Sequence, residues 1–280
     1  MTSPARPVTQ LDKSDLLSGL FAAWDAIDRL LDGLPESGWQ APTPLPGWNV
    51  RAVVSHLIGT ESMLMGIATP EADIDVAALE HVRNDFGAMN ECWVRHLSGE
   101  SGAALRERFV AVTNDRRKML SQMSEDDWNA VTPTPAGKDS YGRFMRIRTF
   151  DCWMHEQDIR DALDRPASDE DLHGPAARLA LDEMTASMGY VVGKLGKAPE
   201  GSRILIELTG PLARTIRVAV NGRGQLVDDF GGQQPTATIR LDGLLFTRLA
   251  GGRTSSTDGV EFGGDQDVAA CVVEHINYVI

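Results

Sequence analysis

"DCWMHEQDIR", Asp151 to Arg160, sets an aspartate four residues ahead of a histidine inside a segment that reads as a helix, from about Phe144 to Leu163. On a helix, Asp151 and His155 project from one face about one turn apart, within reach of a common ion. Spacing alone carries little weight, because 40 acidic residues and six histidines among 280 supply roughly one such pair by chance. A second pair, Asp169 and His173, lies in a Pro/Ser/Gly-containing segment that reads as loop. The meaning of the stretch therefore depends on its surroundings.

Moving toward the amino terminus, apolar residues recur at helical spacing from about Lys13 to Leu34, including Leu16, Leu20, Trp24, Ile27 and Leu31. The Pro-rich "PTPLPGW", Pro42 to Trp48, is a rigid connection. Asn49 then suits the N-cap of a second helix running to about Ile67, with Val50, Val53, Val54, Leu57 and Ile58 on its buried side. Further helices are expected from about Val82 to Leu97 and from about Ala103 to Met123, and Thr132 to Gly142 reads as a loop. Four or five amphipathic helices joined by short connections describe a bundle.

Toward the carboxy terminus the pattern changes after "DRPASDEDLHGP", and the boundary falls near Arg165 to Gly174. A helix from about Ala176 to Leu195 precedes alternation at Ile204, Ile206 and Leu208, a Gly-Pro turn, and alternation at Ile216, Val218 and Val220. Thr236 to Leu241 and Gly259 to Phe262 supply more strands; helices are expected at Asp242 to Ala250 and Asp265 to His275. The expected fold class is α+β: a flexible segment (1–12), a helical bundle (13–168) and a smaller α+β domain with an antiparallel sheet (169–280).

Composition excludes several function classes. A formal charge of −13 argues against binding nucleic acid, which rests on Lys and Arg neutralising phosphates, and against docking on anionic membranes. No apolar run approaches the roughly 20 residues that span a bilayer. The opening "MTSPARPVTQ" lacks an apolar signal core, so a cytoplasmic location is expected. Cys92, Cys152 and Cys271 are too sparse for a disulfide framework. Cys92/His96 and Cys271/His275 each sit one helical turn apart but lack companions, and read as structural cysteines. The tryptophans read mostly as packing anchors.

A catalytic metal site typically takes three protein ligands and keeps a position open. The third candidate beside Asp151 and His155 is His56, in "VRAVVSHLIG" on the second helix. Its alternative reading is a core histidine bonded to a carbonyl or carboxylate.

"PLPGWNVRAVVSHLIGTE", Pro44 to Glu61, resembles the amino-terminal signature of the mycothiol-dependent maleylpyruvate isomerase family, whose bundles are DinB-like and bind metal. "FDCWMHEQDIRDAL", Phe150 to Leu163, is similar to that family's second signature, and "DGLLFTRLAGGR", Asp242 to Arg253, to its sterol-carrier-like second domain. The resemblance implies that His56, Asp151 and His155 ligate a divalent ion, zinc foremost, with iron(II) or nickel(II) as alternatives. Family members usually carry glutamate where this chain has the shorter Asp151. The resemblance also implies mycothiol as thiol co-substrate and a small electrophile as partner. The activity it implies is sulfur transfer to that electrophile, or a maleylpyruvate-type cis–trans isomerisation. A non-enzymatic protein binding a small ligand or lipid is the reading from another class. Asp158, three residues after His155, either orients that imidazole or pairs on the surface with Arg160 or Arg51. Arg248 and Arg253 either hold an anionic substrate or are solvated surface charges.

Overall fold

The computed structural model describes residues 8–279. The chain divides between Ala167 and Ser168 into two compact units. Residues 1–7 of the segment expected to be flexible lie outside the described residues.

The first unit is built on four long helices: α1 (Lys13–Leu31), α3 (Val50–Leu64), α5 (Gly102–Gln122) and α7 (Tyr141–Leu163). Short turns α2 (Glu36–Trp39) and α6 (Glu125–Trp128), the helix α4 (Asp85–His96) and a 3-10 turn, Val76–Ala78, accompany them. Each long helix starts where a side chain satisfies an orphan amide. Asp12, Asn49, Ser101 and Ser140 accept from the backbone N–H of Asp15, Ala52, Ala104 and Arg143 respectively. α7 stops at Asp164, which adopts the left-handed conformation at φ 52°.

α1 packs against α7 and α5, and α3 against α5, α7 and α4. Surrounded in this way, α3 is buried on nearly every face, with Val53, Val54 and Leu57 fully inaccessible. Glycines set two of the close approaches. A Cβ on Gly59 would stand 2.3 Å from the Trp93 ring, and one on Gly102 would stand 2.2 Å from that of Trp39.

The segment read as loop from Thr132 to Gly142 is instead a hairpin, β1 (Val131–Thr134) against β2 (Gly137–Ser140), leading directly into α7. Pro133 and the polar run conceal the strand pattern, and Gly137 at φ 99° makes the turn. α1 and α3 end three residues short of expectation, at Leu31 and Leu64, whereas α7 ends at Leu163 as expected.

The second unit opens with a single turn, α8 (Asp169–Leu172), in the segment read as loop, followed by α9 (Pro175–Tyr190), which continues as one π-helical turn, Val191–Leu195. Its sheet has the order β5-β4-β3-β6-β7. The strands are β3 (Arg203–Thr209), β4 (Arg214–Asn221), β5 (Arg223–Leu226), β6 (Ala237–Asp242) and β7 (Glu261–Gly264). The sheet is mixed: β3 and β6 run parallel, while the other pairs are antiparallel. β5 lies at the edge of the sheet, beyond β4. It leaves the chain at the far end of the sheet, and residues 227–236 return it to begin β6 beside the start of β3. α10 (Gly243–Ala250) and α11 (Gln266–Glu274) join α9 in covering the face that presents Ile204, Ile206, Ile216, Val218 and Ile239. No helix among the described residues is long and apolar enough to cross a membrane.

Candidate metal centre

α3 and α7 face one another, so His56 from one meets Asp151 and His155 from the other. One ligand atom from each lies within 4.8 Å of the other two. His56 Nε2 is 3.2 Å from Asp151 Oδ2, and His155 Nε2 is 3.5 Å from Asp151 Oδ1. Donors on a tetrahedral zinc ion, with bonds of ~2.0–2.2 Å, stand about 3.3–3.6 Å apart. Two imidazoles and a hard carboxylate, with each imidazole at this spacing from one of its oxygens, are a donor set suited to a divalent cation of the zinc or iron(II) type. His56 and His155 are almost wholly buried, whereas the Asp151 side chain is 30% exposed, so the cluster meets solvent on the carboxylate side.

The surroundings hold these donors in place. Asp158 Oδ2 lies 2.9 Å from His155 Nδ1, which leaves Nε2 facing the cluster. The contact has the geometry of the orienting role, one of the two expected for Asp158; Arg160 Nε bonds Glu156, and Arg51 bonds Glu36. His56 Nδ1 is buried with no hydrogen-bond partner among the described residues. The Trp48 ring stands 5.4 Å from the His56 ring and 6.2 Å from that of His155, and its N–H donates to Glu91 at 2.8 Å. His81 lies 2.8 Å from the same Glu91 oxygen. Read from sequence as a packing anchor, Trp48 instead forms a half-buried wall beside the imidazoles.

Behind Asp151 runs a chain of buried charges that sequence reasoning missed. Arg148 donates to Asp151 Oδ2 from Nη1 and to Glu61 Oε1 from Nη2 and Nε, the latter two at 2.8 and 3.1 Å. Glu61 Oε2 accepts from Arg116 Nε at 2.9 Å, and Arg116 Nη2 reaches the Tyr141 hydroxyl at 3.1 Å. The side chains of Arg116, Glu61 and Arg148 are 0%, 1% and 4% exposed. Their spacing was visible, since Arg148 lies one turn before Asp151 and Glu61 five residues after His56. Only the packing of three helices makes partners of them.

Electrostatics separate the two imidazoles. Burial disfavours the charged form of both; at His56 it prevails and lowers the pKa, while at His155 the Asp151 and Asp158 carboxylates outweigh it and raise the pKa. Burial likewise pushes Asp151 upward, but the Arg148 guanidinium and the two imidazoles hold it well below the usual carboxylate range. Burial pushes the Cys152 thiol up to about 12 despite Arg148 nearby, which makes it a poor nucleophile at neutral pH.

The remaining candidates sit on other elements. His173 is exposed, with Nδ1 against the Asp169 carbonyl at 2.6 Å rather than its carboxylate. Cys271 Sγ is 3.8 Å from His275 Nδ1 in the second unit. Arg248, in α10, and Arg253, just after it, also belong to the second unit. Both are half-buried rather than fully solvated, and Arg253 Nη1 donates to the Gly251 carbonyl at 2.6 Å.

Comparison with known proteins bears on the whole arrangement. Residues 20–160 match the model of the mycothiol maleylpyruvate isomerase N-terminal domain, and residues 178–270 match that of the MDMPI C-terminal domain. Uncharacterized proteins of two Mycobacterium tuberculosis strains, CDC 1551 / Oshkosh and ATCC 25618 / H37Rv, are each 26% identical over 206 residues, covering 73% of this chain and 76% of theirs. The fold resembles a crystal structure of the mycothiol-dependent maleylpyruvate isomerase at a TM-score of 0.61 and 18% identity, over 90% of this chain and 93% of that one. A mutant of that isomerase matches over the same shares at a TM-score of 0.59 and 19% identity. With both domain models matched in order and the first spanning half of its residues, the chain belongs to the mycothiol-dependent maleylpyruvate isomerase family.

Proposed function

We propose that this chain is a cytoplasmic, metal-dependent enzyme that uses mycothiol to transfer sulfur to a small electrophile. The observation that carries the reading is the convergence of His56, Asp151 and His155 from two helices. A divalent ion held by these donors, which we assign as zinc, supplies positive charge that favours thiolate over thiol in a bound co-substrate. Asp158 fixes the His155 ring so that Nε2 presents its lone pair inward. Arg148 balances the Asp151 charge and keeps that carboxylate ionised. Trp48 shields one flank of the imidazoles from water, and the exposed side of Asp151 leaves a route for substrate.

The same residues would serve reversible addition of the thiol to a cis double bond, which becomes a rotatable single bond until elimination restores it as trans. The likeness to structures of a maleylpyruvate isomerase favours this second reading. Purified, metal-loaded protein assayed with mycothiol and either an electrophilic thiol acceptor or maleylpyruvate separates the two. Conjugation of the acceptor is expected; turnover of maleylpyruvate alone would overturn the transferase assignment. Metal analysis tests the shared premise: about one ion per chain, lost in His56→Ala and in His155→Ala.

A further inference from the structure

We infer that Arg148 is a positioning residue that occupies one oxygen of Asp151, so that the carboxylate offers a cation a single oxygen and leaves a coordination position for the thiol. The inference rests on the metal-site reading above and concerns how that site is kept open. A free carboxylate binds a metal through one oxygen or both, and which it does depends on what else its oxygens accept. Here the two oxygens have different surroundings. Oδ2, 3.2 Å from His56 Nε2, also accepts from Arg148 Nη1, whereas Oδ1 faces His155 Nε2 at 3.5 Å with no arginine on it among the described residues.

Arg148 is itself fixed. Its Nη2 and Nε both donate to Glu61 Oε1, so the planar guanidinium bridges two carboxylates with little freedom to turn. Glu61 is held from its other oxygen by Arg116 on α5. The chain Arg116–Glu61–Arg148–Asp151 thus ties α5, α3 and α7 together beneath the site. The helix that donates His56 also donates the carboxylate that aims Arg148. A cation with two imidazoles and two carboxylate oxygens would have one fewer position for an incoming sulfur than a cation with one carboxylate oxygen.

Removing Arg148 should therefore have two opposite effects. Metal binding tightens, because a second oxygen is released and a neighbouring positive charge is lost, and thiol ligation weakens. A residue of purely structural importance would weaken both. Cobalt(II) serves as a visible probe of coordination number, and 2-mercaptoethanol as a small thiol whose sulfur-to-cobalt absorption reports ligation. In Arg148→Gln we expect cobalt affinity to rise about tenfold, the visible band to lose intensity as coordination number grows, and the thiol concentration for half-ligation to rise about tenfold. Arg148→Lys, which keeps a donor and the charge, should stay close to wild type.

Arg148→Gln leaves Glu61 with one cation fewer, so the charge-balanced Glu61→Gln/Arg148→Gln protein provides the same readout should the single variant fail to fold. Unchanged spectra and thiol ligation in the variants, or cobalt and thiol binding weakened together, would overturn the role of Arg148 while leaving the metal site standing. Wild-type protein that binds no cobalt, or binds it equally after His56→Ala, would instead remove the metal reading and this inference with it.

Discussion

Asp151 is one methylene shorter than the glutamate that the family resemblance implies at this position, and it still reaches both imidazoles. Asp151→Glu is therefore expected to preserve or tighten zinc binding, whereas Asp151→Asn, which loses the charge, should weaken it by about tenfold or more, ~1.4 kcal/mol. Titration calorimetry on the three proteins checks this, and equal affinities would remove Asp151 from the ligand set. Asp158 stands one step back, against the His155 ring at 2.9 Å. Its replacement by alanine should reduce zinc affinity by about 10–100-fold without abolishing it. Cys152, although adjacent to Asp151 in sequence, should resist alkylation in the folded protein at pH 8, because burial keeps its thiol protonated. Mass spectrometry after iodoacetamide treatment would show Cys92 or Cys271 modified in preference, both being partly exposed. At this scale the candidate ligands could be named because acid-x-x-x-His on a helix and an isolated histidine among aliphatic residues are local patterns. Arg148, Glu61 and Trp48 were not, since each acquires its role from a residue on another element.

At the scale of elements, capping and close approach explain why the helices begin and meet where they do. Asn49 was readable as an N-cap and does cap α3, accepting from Ala52 N at 3.0 Å. The β1–β2 hairpin was not readable, because polar residues and proline mask alternation in so short a pair. Its anchor is Asp139, which accepts from the backbone N–H of Thr9 and Ser140 at 2.6 and 2.8 Å and from the Thr9 hydroxyl at 2.8 Å. Partial burial would raise the Asp139 pKa, but these hydrogen bonds and the Arg143 charge outweigh it and lower it below the ordinary value. A carboxyl whose pKa falls on folding contributes stability above its unfolded value, near 3.8, and loses it as pH drops through the lower folded value. Asp139→Ala should thus lower the melting temperature at neutral pH, and its deficit relative to wild type should narrow as the scans move below pH 4. A constant deficit at every pH would disprove the ionic contribution. Gly59→Ala is expected to cost about 1–3 kcal/mol by forcing Trp93 away from α3, read as a lower urea midpoint.

For the whole molecule, the division into a helical unit and a smaller sheet-containing unit was legible from the change in periodicity after residue 165, as was the location of the candidate ligands in the former. The direction of β6 was not, because a parallel neighbour depends on the path of a connection rather than on any strand's own pattern. A metal that binds only the folded bundle stabilises it by mass action, about 2.7 kcal/mol at a free concentration of 100 Kd. Zinc should raise the melting temperature of the wild-type protein, a chelator should reverse the gain, and His56→Ala should respond to neither. One more property follows from α7, the 23-residue helix that carries Arg148, Asp151, His155 and Asp158 on a single stripe. Each residue added to or removed from a helix rotates everything beyond it by about 100°. The segment from 148 to 158, buried at every residue but Asp151, therefore behaves like a keyed shaft: a single-codon insertion or deletion would turn the teeth past one another and disengage the lock at a stroke.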